Sequence, residues 1–289
     1  MVKEDKNVAI SIQKKILSHR LRGYDDFEHT PRALRQACDG NAAYLEIDVR
    51  ASRDGRLFVY HNANTGPDLQ ADFSFSSTPS SEISKATFLS GELLLSLEDA
   101  VGVFKQYSRA EQKLCIDIKD FGFEDLYLSI VREAGIEDRV VFVSWIPQTL
   151  VRLFHLGSKA PLILSHWNLK RFSGIGSALV QFMSKRMIGL WAFVGMGSEC
   201  YRKDLKQYRH GYQHVILFRD LPPDLLDILA KSRGGICIPT LLFCSKLATY
   251  CSKQGLELWL FSVKSAAQFM KYAVHDGVHV VFCDRPIQL

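Results

Sequence analysis

The stretch ALRQACDGNAAYLEIDVRASRDGRLFVYHN, Ala33 to Asn62, carries two carboxylates inside an apolar run, Tyr44-Leu45-Glu46-Ile47-Asp48-Val49. In an extended strand residues i and i+2 share a face, so Glu46 and Asp48 point one way and Leu45, Ile47 and Val49 the other. A sheet that buries the three aliphatic residues against a helix layer leaves both carboxylates on its opposite side, where unpaired charge is costly. Further along, Asp54-Gly55 is a tight-turn signal between this run and LFVYH, and it predicts a β-hairpin over the two.

Similar β-branched runs recur with helical stretches between them: ILSHR, YLEIDVRA, LFVYH, KLCIDIK, VVFVSW, LILSHW, HVILF, GICIPTL, LELWLFS and VHVVFC. The alternation predicts an α/β fold with a parallel sheet, closed or doubly wound. Helical periodicity is clearest in PRALRQACDG, SLEDAVGVFKQY, FEDLYLSIVREAG, PPDLLDILAKSRG and SAAQFMKYAVHDG, several of which end at Gly. A length of 289 residues suits one α/β barrel or two ordinary domains. No repeat or low-complexity block divides the chain.

Composition narrows the function. The 36 basic and 31 acidic residues, net +5, are spread along the chain without a polybasic block, which argues against nucleic acid and favours an anionic substrate only slightly. Seven cysteines, odd in number and without a CxxC pair, fit reduced thiols better than disulfides or a zinc site. The start, MVKEDKNVAI, has no apolar core of a signal peptide, so a cytoplasmic location is expected. One apolar region, Ser173 to Gly195, approaches membrane-span length but is interrupted by Lys185 and Arg186; it reads as a buried or surface-docking helix leading into a strand, with peripheral membrane contact as the alternative.

The polar residues at the downstream ends of the strand-like runs form a set: His19 and Arg20 after ILS, Glu46 and Asp48, His61 after LFVY, and Asp117 with Lys119 in LCIDIK. In the last run Ile116 and Ile118 share one face while Asp117 and Lys119 share the other. Three carboxylates converging at one barrel mouth would raise one another's pKa unless a cation sat among them, and oxygen-only ligation suits Mg²⁺ or Ca²⁺ better than zinc. The segment from Asn62 to Leu95, polar and rich in Ser and Thr, follows directly on His61 at a strand end, where barrel enzymes carry active-site loops. A tolerated surface insertion is the other reading of it.

In order along the chain, these stretches resemble the motifs of the glycerophosphodiester phosphodiesterases: His19-Arg20, Glu28-His29-Thr30, Glu46-Ile47-Asp48-Val49, Asp54-Gly55, His61-Asn62, Ser96-Leu97-Glu98-Asp99, Ile116-Asp117-Ile118-Lys119, Trp259-Leu260-Phe261 and Cys283-Asp284-Arg285-Pro286. The resemblance implies a single TIM (β/α)8 barrel over residues 1–289, with 62–95 an insertion over the active site. It implies that Glu46, Asp48 and Asp117 hold a divalent cation, Mg²⁺ or Ca²⁺, and that His19 and His61 act as acid and base. Arg20 and Lys119 would bind the phosphate of a small anionic phosphodiester. Trp259, near the end of the seventh strand, would line the leaving-group pocket, with plain core packing as its alternative.

Three departures stand out. The family's glycine after His-Arg is Leu21, the third metal carboxylate is Asp117 rather than glutamate, and the sequence given stops soon after Pro286 without a final helix. Aspartate at that metal position also occurs in the related phospholipase D toxins of spider venom. GICIPTL, one helix before Trp259, reads as the sixth barrel strand, which makes WAFVG and HVILF parts of an insertion unless one of them displaces it. The expected activity is hydrolysis of a glycerophosphodiester to glycerol 3-phosphate and an alcohol. A phospholipase D-like or sugar-phosphodiester enzyme on the same site is one alternative; a catalytically silent barrel used for binding is another.

Overall fold

The computed structural model describes residues 11–168, 216–217, 221 and 223–288. Its strands in chain order are β1 (Ile16–Ser18), β2 (Tyr44–Ala51), β3 (Leu57–Val59), β4 (Lys113–Ile118), β5 (Val140–Ser144), β6 (Leu162–Ser165), β7 (Trp167–Asn168), β8 (Ile216–Leu217), β9 (Gly235–Pro239), β10 (Glu257–Val263) and β11 (Val280–Cys283). Eight of them run parallel in the order β1-β2-β4-β5-β6-β9-β10-β11, and β1 pairs with both β2 and β11, which closes the sheet into a TIM barrel. GICIPTL is therefore the sixth barrel strand, paired with β6 and β10. Within HVILF the described residues, Ile216–Leu217, form β8, a short strand parallel to β7 in a second sheet. WAFVG and the apolar region from Ser173 to Gly195 lie outside the described residues. Among the described residues, no helix is long and apolar enough to cross a membrane.

Alternation along the strands sorts the side chains into two layers. Leu45, Ile47 and Val49 pack outward with Ala33, Leu34 and Ala37 of the helix Pro31–Asp39 and with Ala100, Val101 and Phe104 of the helix Leu97–Tyr107. At roughly 1.5–3 kcal/mol for each fully buried aliphatic side chain, this face fixes the orientation of β2. Both helices begin on side-chain caps, Thr30 Oγ1 accepting from the Ala33 N–H and Ser96 Oγ from the Asp99 N–H. The inward layer comprises Leu17, Cys115, Val141, Val143, Ile163, Cys237, Trp259, Val280 and Phe282. It plugs the barrel below Glu46, Asp48 and Asp117, so the charged residues sit on an apolar floor.

The Asp54-Gly55 turn closes the hairpin as its sequence requires: β3 is antiparallel to β2, with Val49 opposite Val59 and Ala51 opposite Leu57, and Gly55 adopts φ +91°. Beyond β3, residues 62–95 build a small core against that strand, in which Leu69, Phe75, Ile83 and Phe88 are buried together with Phe58 and Tyr60.

A second glycine sets the approach to the site. Gly23 has φ +80°, and a Cβ there would lie 2.6 Å from Cδ of Pro286. Gly23→Ala is expected to cost about 1–3 kcal/mol in urea unfolding, through left-handed strain and displacement of Pro286. An unchanged midpoint would mean that the 286 segment moves aside freely.

Candidate active site

β1 ends in a tight 3₁₀ turn, His19–Leu21, in which Arg20 and Leu21 take φ of +55° and +57°. The position where the family carries glycine is left-handed here and occupied by a leucine whose side chain is fully buried. Burial of Leu21 holds a backbone conformation that glycine would take without strain. The turn aims the Arg20 N–H at Glu46 Oε2, 2.7 Å away, and brings the His19 ring over the barrel mouth.

His19 Nδ1 lies 2.6 Å from Asp284 Oδ1, just past the end of β11. A carboxylate only accepts, so Nδ1 carries the proton and Nε2 is the nitrogen left for chemistry. Asp284 also accepts from Arg22 Nη1 at 2.9 Å and from Ser262 Oγ at 2.9 Å. Burial works to raise its pKa, but the His19 hydrogen bond and charge, Ser262 and Arg22 outweigh that and hold it far below the usual carboxylate range. Burial lowers the pKa of His19 against the pull of Asp284. Asp284 had been read only as part of a terminal motif; a carboxylate one residue past the last strand was the available signal for its partnership with His19.

His61, just past β3, is oriented on both sides. Its Nδ1 donates to Asn62 Oδ1 at 2.8 Å, and its Nε2 accepts from Arg20 Nη2 at 2.6 Å, so the ring is neutral. Burial lowers its pKa strongly, and the nearby Lys119 and Arg20 charges add to the effect against Asp48. The backbone beside it is fixed by Arg50, a buried residue whose Nε donates to the His61 carbonyl at 3.0 Å and whose Nη1 pairs with buried Asp120 at 3.0 Å. Neither Arg50 nor Asp120 was singled out in the sequence: Arg50 shares the face of Glu46 and Asp48, but its partner Asp120 lies 70 residues further on.

Between the histidines, Asp48 stands directly opposite Asp117 in the parallel register of β2 and β4. Lys119 Nζ bridges them, 2.6 Å from Asp48 Oδ1 and 2.5 Å from Asp117 Oδ2. Arg20 Nε is 3.3 Å from Asp48 Oδ2. Asp48 is held well below the usual range, Lys119, His61 and Arg20 overcoming the cost of burial. Burial raises Asp117, while burial together with the Asp48 and Asp117 charges pushes Glu46 well up. Two buried carboxylate oxygens, Asp48 Oδ2 and Asp117 Oδ1, accept no hydrogen bond. Excess buried negative charge with orphaned oxygens is the environment a divalent cation would relieve, so the donor set fits one. Among the described residues, the group whose ligand atoms lie within 4.8 Å of one another is His29, Glu46 and Asp48, rather than the two with Asp117.

Trp259 does not reach this level. It is 1 % exposed, edge-on to Tyr44 at 5.3 Å, with its Nε1–H on Glu257 Oε2 at 2.7 Å. Tyr44 precedes Glu46 by two residues on the same face, so Trp259 packs one layer below the charges, and core packing is its place. The aromatic residue higher on β10 is half-buried Phe261, whose ring lies 5.5 Å from that of Trp145.

Beside the charges lies a cavity of about 340 Å³, whose walls include Arg20 and His61 past the ends of β1 and β3, Glu28 and His29 from the loop before the helix Pro31–Asp39, and Pro67 and Asp68 from the 62–95 segment. Tyr60 Oη donates to Asp68 Oδ1 at 2.7 Å and ties that segment to β3.

A sequence model of the glycerophosphoryl diester phosphodiesterase family matches residues 17–167, more than half of the chain and all of the elements carrying His19, Glu46, Asp48, His61, Asp117 and Lys119. The chain belongs to that family. It is thus an enzyme of the phosphoric diester hydrolase class, and the ordered motifs are those of the family. Solved glycerophosphodiester phosphodiesterases share its fold: one from Parabacteroides distasonis (16% identity, TM-score 0.65, covering 94% of this chain and 93% of that one) and one from Agrobacterium tumefaciens (18%, 0.60, 94% and 97%). A phosphodiesterase from Oleispira antarctica, solved with the product sn-glycerol-3-phosphate, is similar at 17% identity and TM-score 0.63, covering 94% and 93%. No curated protein matches the chain.

Buried histidines make this glycerophosphodiester phosphodiesterase family member acid-sensitive away from the site as well. His166, just past β6, is fully buried, its Nδ1 is 3.2 Å from the Leu164 carbonyl, and burial lowers its pKa from 6.5 to about 4. Between those values the unfolded chain binds a proton that the folded one does not, so stability falls as pH drops from 6.5 and levels off below 4. The full effect is about 3 kcal/mol. His166→Leu should shallow the stability–pH profile by about one proton across that window; a profile parallel to wild type would show that His166 protonates freely in the folded state.

Proposed function

We propose that this chain hydrolyses glycerophosphodiesters, releasing glycerol 3-phosphate and an alcohol, with His19 and His61 exchanging the protons and a divalent cation bound at the Glu46–Asp48 pair. One observation carries this reading: two imidazoles, each fixed through Nδ1 to a partner of its own, border one buried cluster in which carboxylate oxygens accept no hydrogen bond. In hydrolysis the attacking oxygen loses a proton and the departing alkoxide gains one. Two imidazoles can divide those transfers, each through Nε2. Asp284 stabilises the imidazolium form of His19. Arg20 leaves His61 Nε2 for the phosphate as substrate enters, which frees that nitrogen to exchange its proton, and Lys119 adds a second positive charge to the phosphate. The bound cation supplies Lewis-acid stabilisation of the phosphoryl charge. Mg²⁺ or Ca²⁺ is what an oxygen-only set with Asp117 as third ligand would select. The product-bound relative from Oleispira antarctica supports glycerol 3-phosphate as the retained half, and the 62–95 segment selects the alcohol from its side of the cavity.

The test is turnover of a panel of glycerophosphodiesters, lysophospholipids and sugar phosphodiesters, each with a divalent metal or with EDTA. Metal-dependent release of glycerol 3-phosphate is expected. Absence of turnover of every member, with each of Mg²⁺, Ca²⁺, Mn²⁺ and Zn²⁺ supplied, would remove the enzymatic reading.

A further inference from the structure

His29 belongs to no strand. It sits in the loop before the helix Pro31–Asp39 with φ +62°, in the left-handed region that histidine enters more readily than most side chains but still sparsely. Its ring is nevertheless almost wholly buried and is brought against Asp48. The Asp48 N–H donates to His29 Nε2 at 3.3 Å, so this nitrogen carries the lone pair and the ring proton is on Nδ1; a metal at Nε2 would take that lone pair in place of this long contact. The same Nε2 lies 3.4 Å from Asp48 Oδ2, an oxygen that accepts no hydrogen bond. Two electron-rich atoms thus face each other in a buried site with no proton between them, and a Glu46 oxygen lies within 4.8 Å of both. The Arg20 guanidinium, 3.3 Å from Asp48 Oδ2, offsets part of this charge, and a cation among the three would offset the rest. Ligands on opposite sides of a cation bound at about 2.1 Å are about 4.2 Å apart, so a small contraction of this group would enclose one.

We propose that His29 is a metal ligand: Nε2 of His29 with the carboxylates of Glu46 and Asp48 forms a mixed nitrogen–oxygen site that prefers first-row transition ions such as Mn²⁺, Co²⁺ and Zn²⁺ over Ca²⁺ and Mg²⁺. The inference rests on the metal-dependent reading above and changes its chemistry. Imidazole is a poor partner for the hard alkaline-earth ions and a good one for the first-row metals. The three carboxylates then divide their work. Glu46 and Asp48 face the cation with His29, while Asp117 is neutralised by Lys119, which occupies the side of Asp48 away from the ring. This explains how an aspartate can serve at position 117 although it reaches less far than a glutamate would.

The test is metal binding by the full chain, without substrate. Calorimetric titration with Co²⁺, Zn²⁺ and Ca²⁺ should give wild-type affinities at least about tenfold higher for Co²⁺ and Zn²⁺ than for Ca²⁺. His29→Asn should lose about tenfold or more for the two transition ions and little for Ca²⁺. The Co²⁺-loaded wild type should in addition show a paramagnetically shifted, exchangeable imidazole N–H resonance from the ring nitrogen opposite the metal, a measurement that needs no variant. If wild type binds metal, Glu46→Gln abolishes binding and His29→Asn leaves every affinity unchanged, His29 is not a ligand and the metal-dependent reading survives. A Co²⁺-loaded wild type without the shifted N–H resonance overturns the inference in the same way. If wild type binds none of the ions, both fail together.

Discussion

Asp284→Asn is expected to reduce turnover by about 10²- to 10⁴-fold while the protein stays folded. The carboxylate fixes the proton of His19 on Nδ1, at 2.6 Å, and leaves Nε2 facing the site. An asparagine amide can turn its NH₂ toward that nitrogen and favour the other tautomer, in which Nε2 carries the proton and can no longer accept one. His19→Ala should lose at least as much, and adding Asp284→Asn to it should cost little more, because the two act as one unit. Ser262→Ala provides the control: it removes a hydrogen bond to Asp284 without touching the histidine. His61→Ala is expected to lose at least about 10²-fold independently. Rates for Asp284→Asn within a few-fold of wild type would dismiss the dyad, and near-normal rates for His61→Ala would dismiss the division of proton transfers.

The second large effect is on stability. Arg50→Met should destabilise the fold by about 3–5 kcal/mol, because it removes the cation paired with Asp120, a carboxylate that is 1 % exposed. Adding Asp120→Asn removes the stranded charge and should recover part of the loss, a rescue that simple loss of arginine packing would not give. Chemical unfolding of the single and double variants checks both statements. The fold should register more than the chemistry does, but activity should also fall, since Arg50 holds the carbonyl of His61.

Much of this architecture could be read from the chain because its cues are local. The face alternation of YLEIDVRA, the Asp54-Gly55 turn and the spacing of GICIPTL before LELWLFS each depend on neighbours a few residues apart, and the hairpin and the sixth strand follow from them. The depth of a residue inside the barrel is a different matter. Trp259 obeys the inward alternation, but its level relative to Glu46 depends on how strands stagger around the closed sheet, which no short window reports. The same holds for pairs made by the tertiary fold. His19 meets Asp284 across 265 residues, and Arg50 meets Asp120 across 70. His29 reaches Asp48 only because a loop residue adopts φ +62°. Carboxylates on strands announced themselves; the partners that tune them came from turns and strand ends, where side-chain direction is not periodic.

The seam between β1 and β11 has a temporal meaning. Ile16 pairs with Val281 and Ser18 with Cys283, so the first strand waits for the last before the ring closes. His19 is made 265 residues before Asp284. A chain made only as far as β10 holds most of the sheet, yet it lacks the carboxylate that sets its histidine. Fragments truncated before β11 therefore carry every other charged residue of the cluster but lack the carboxylate that sets His19.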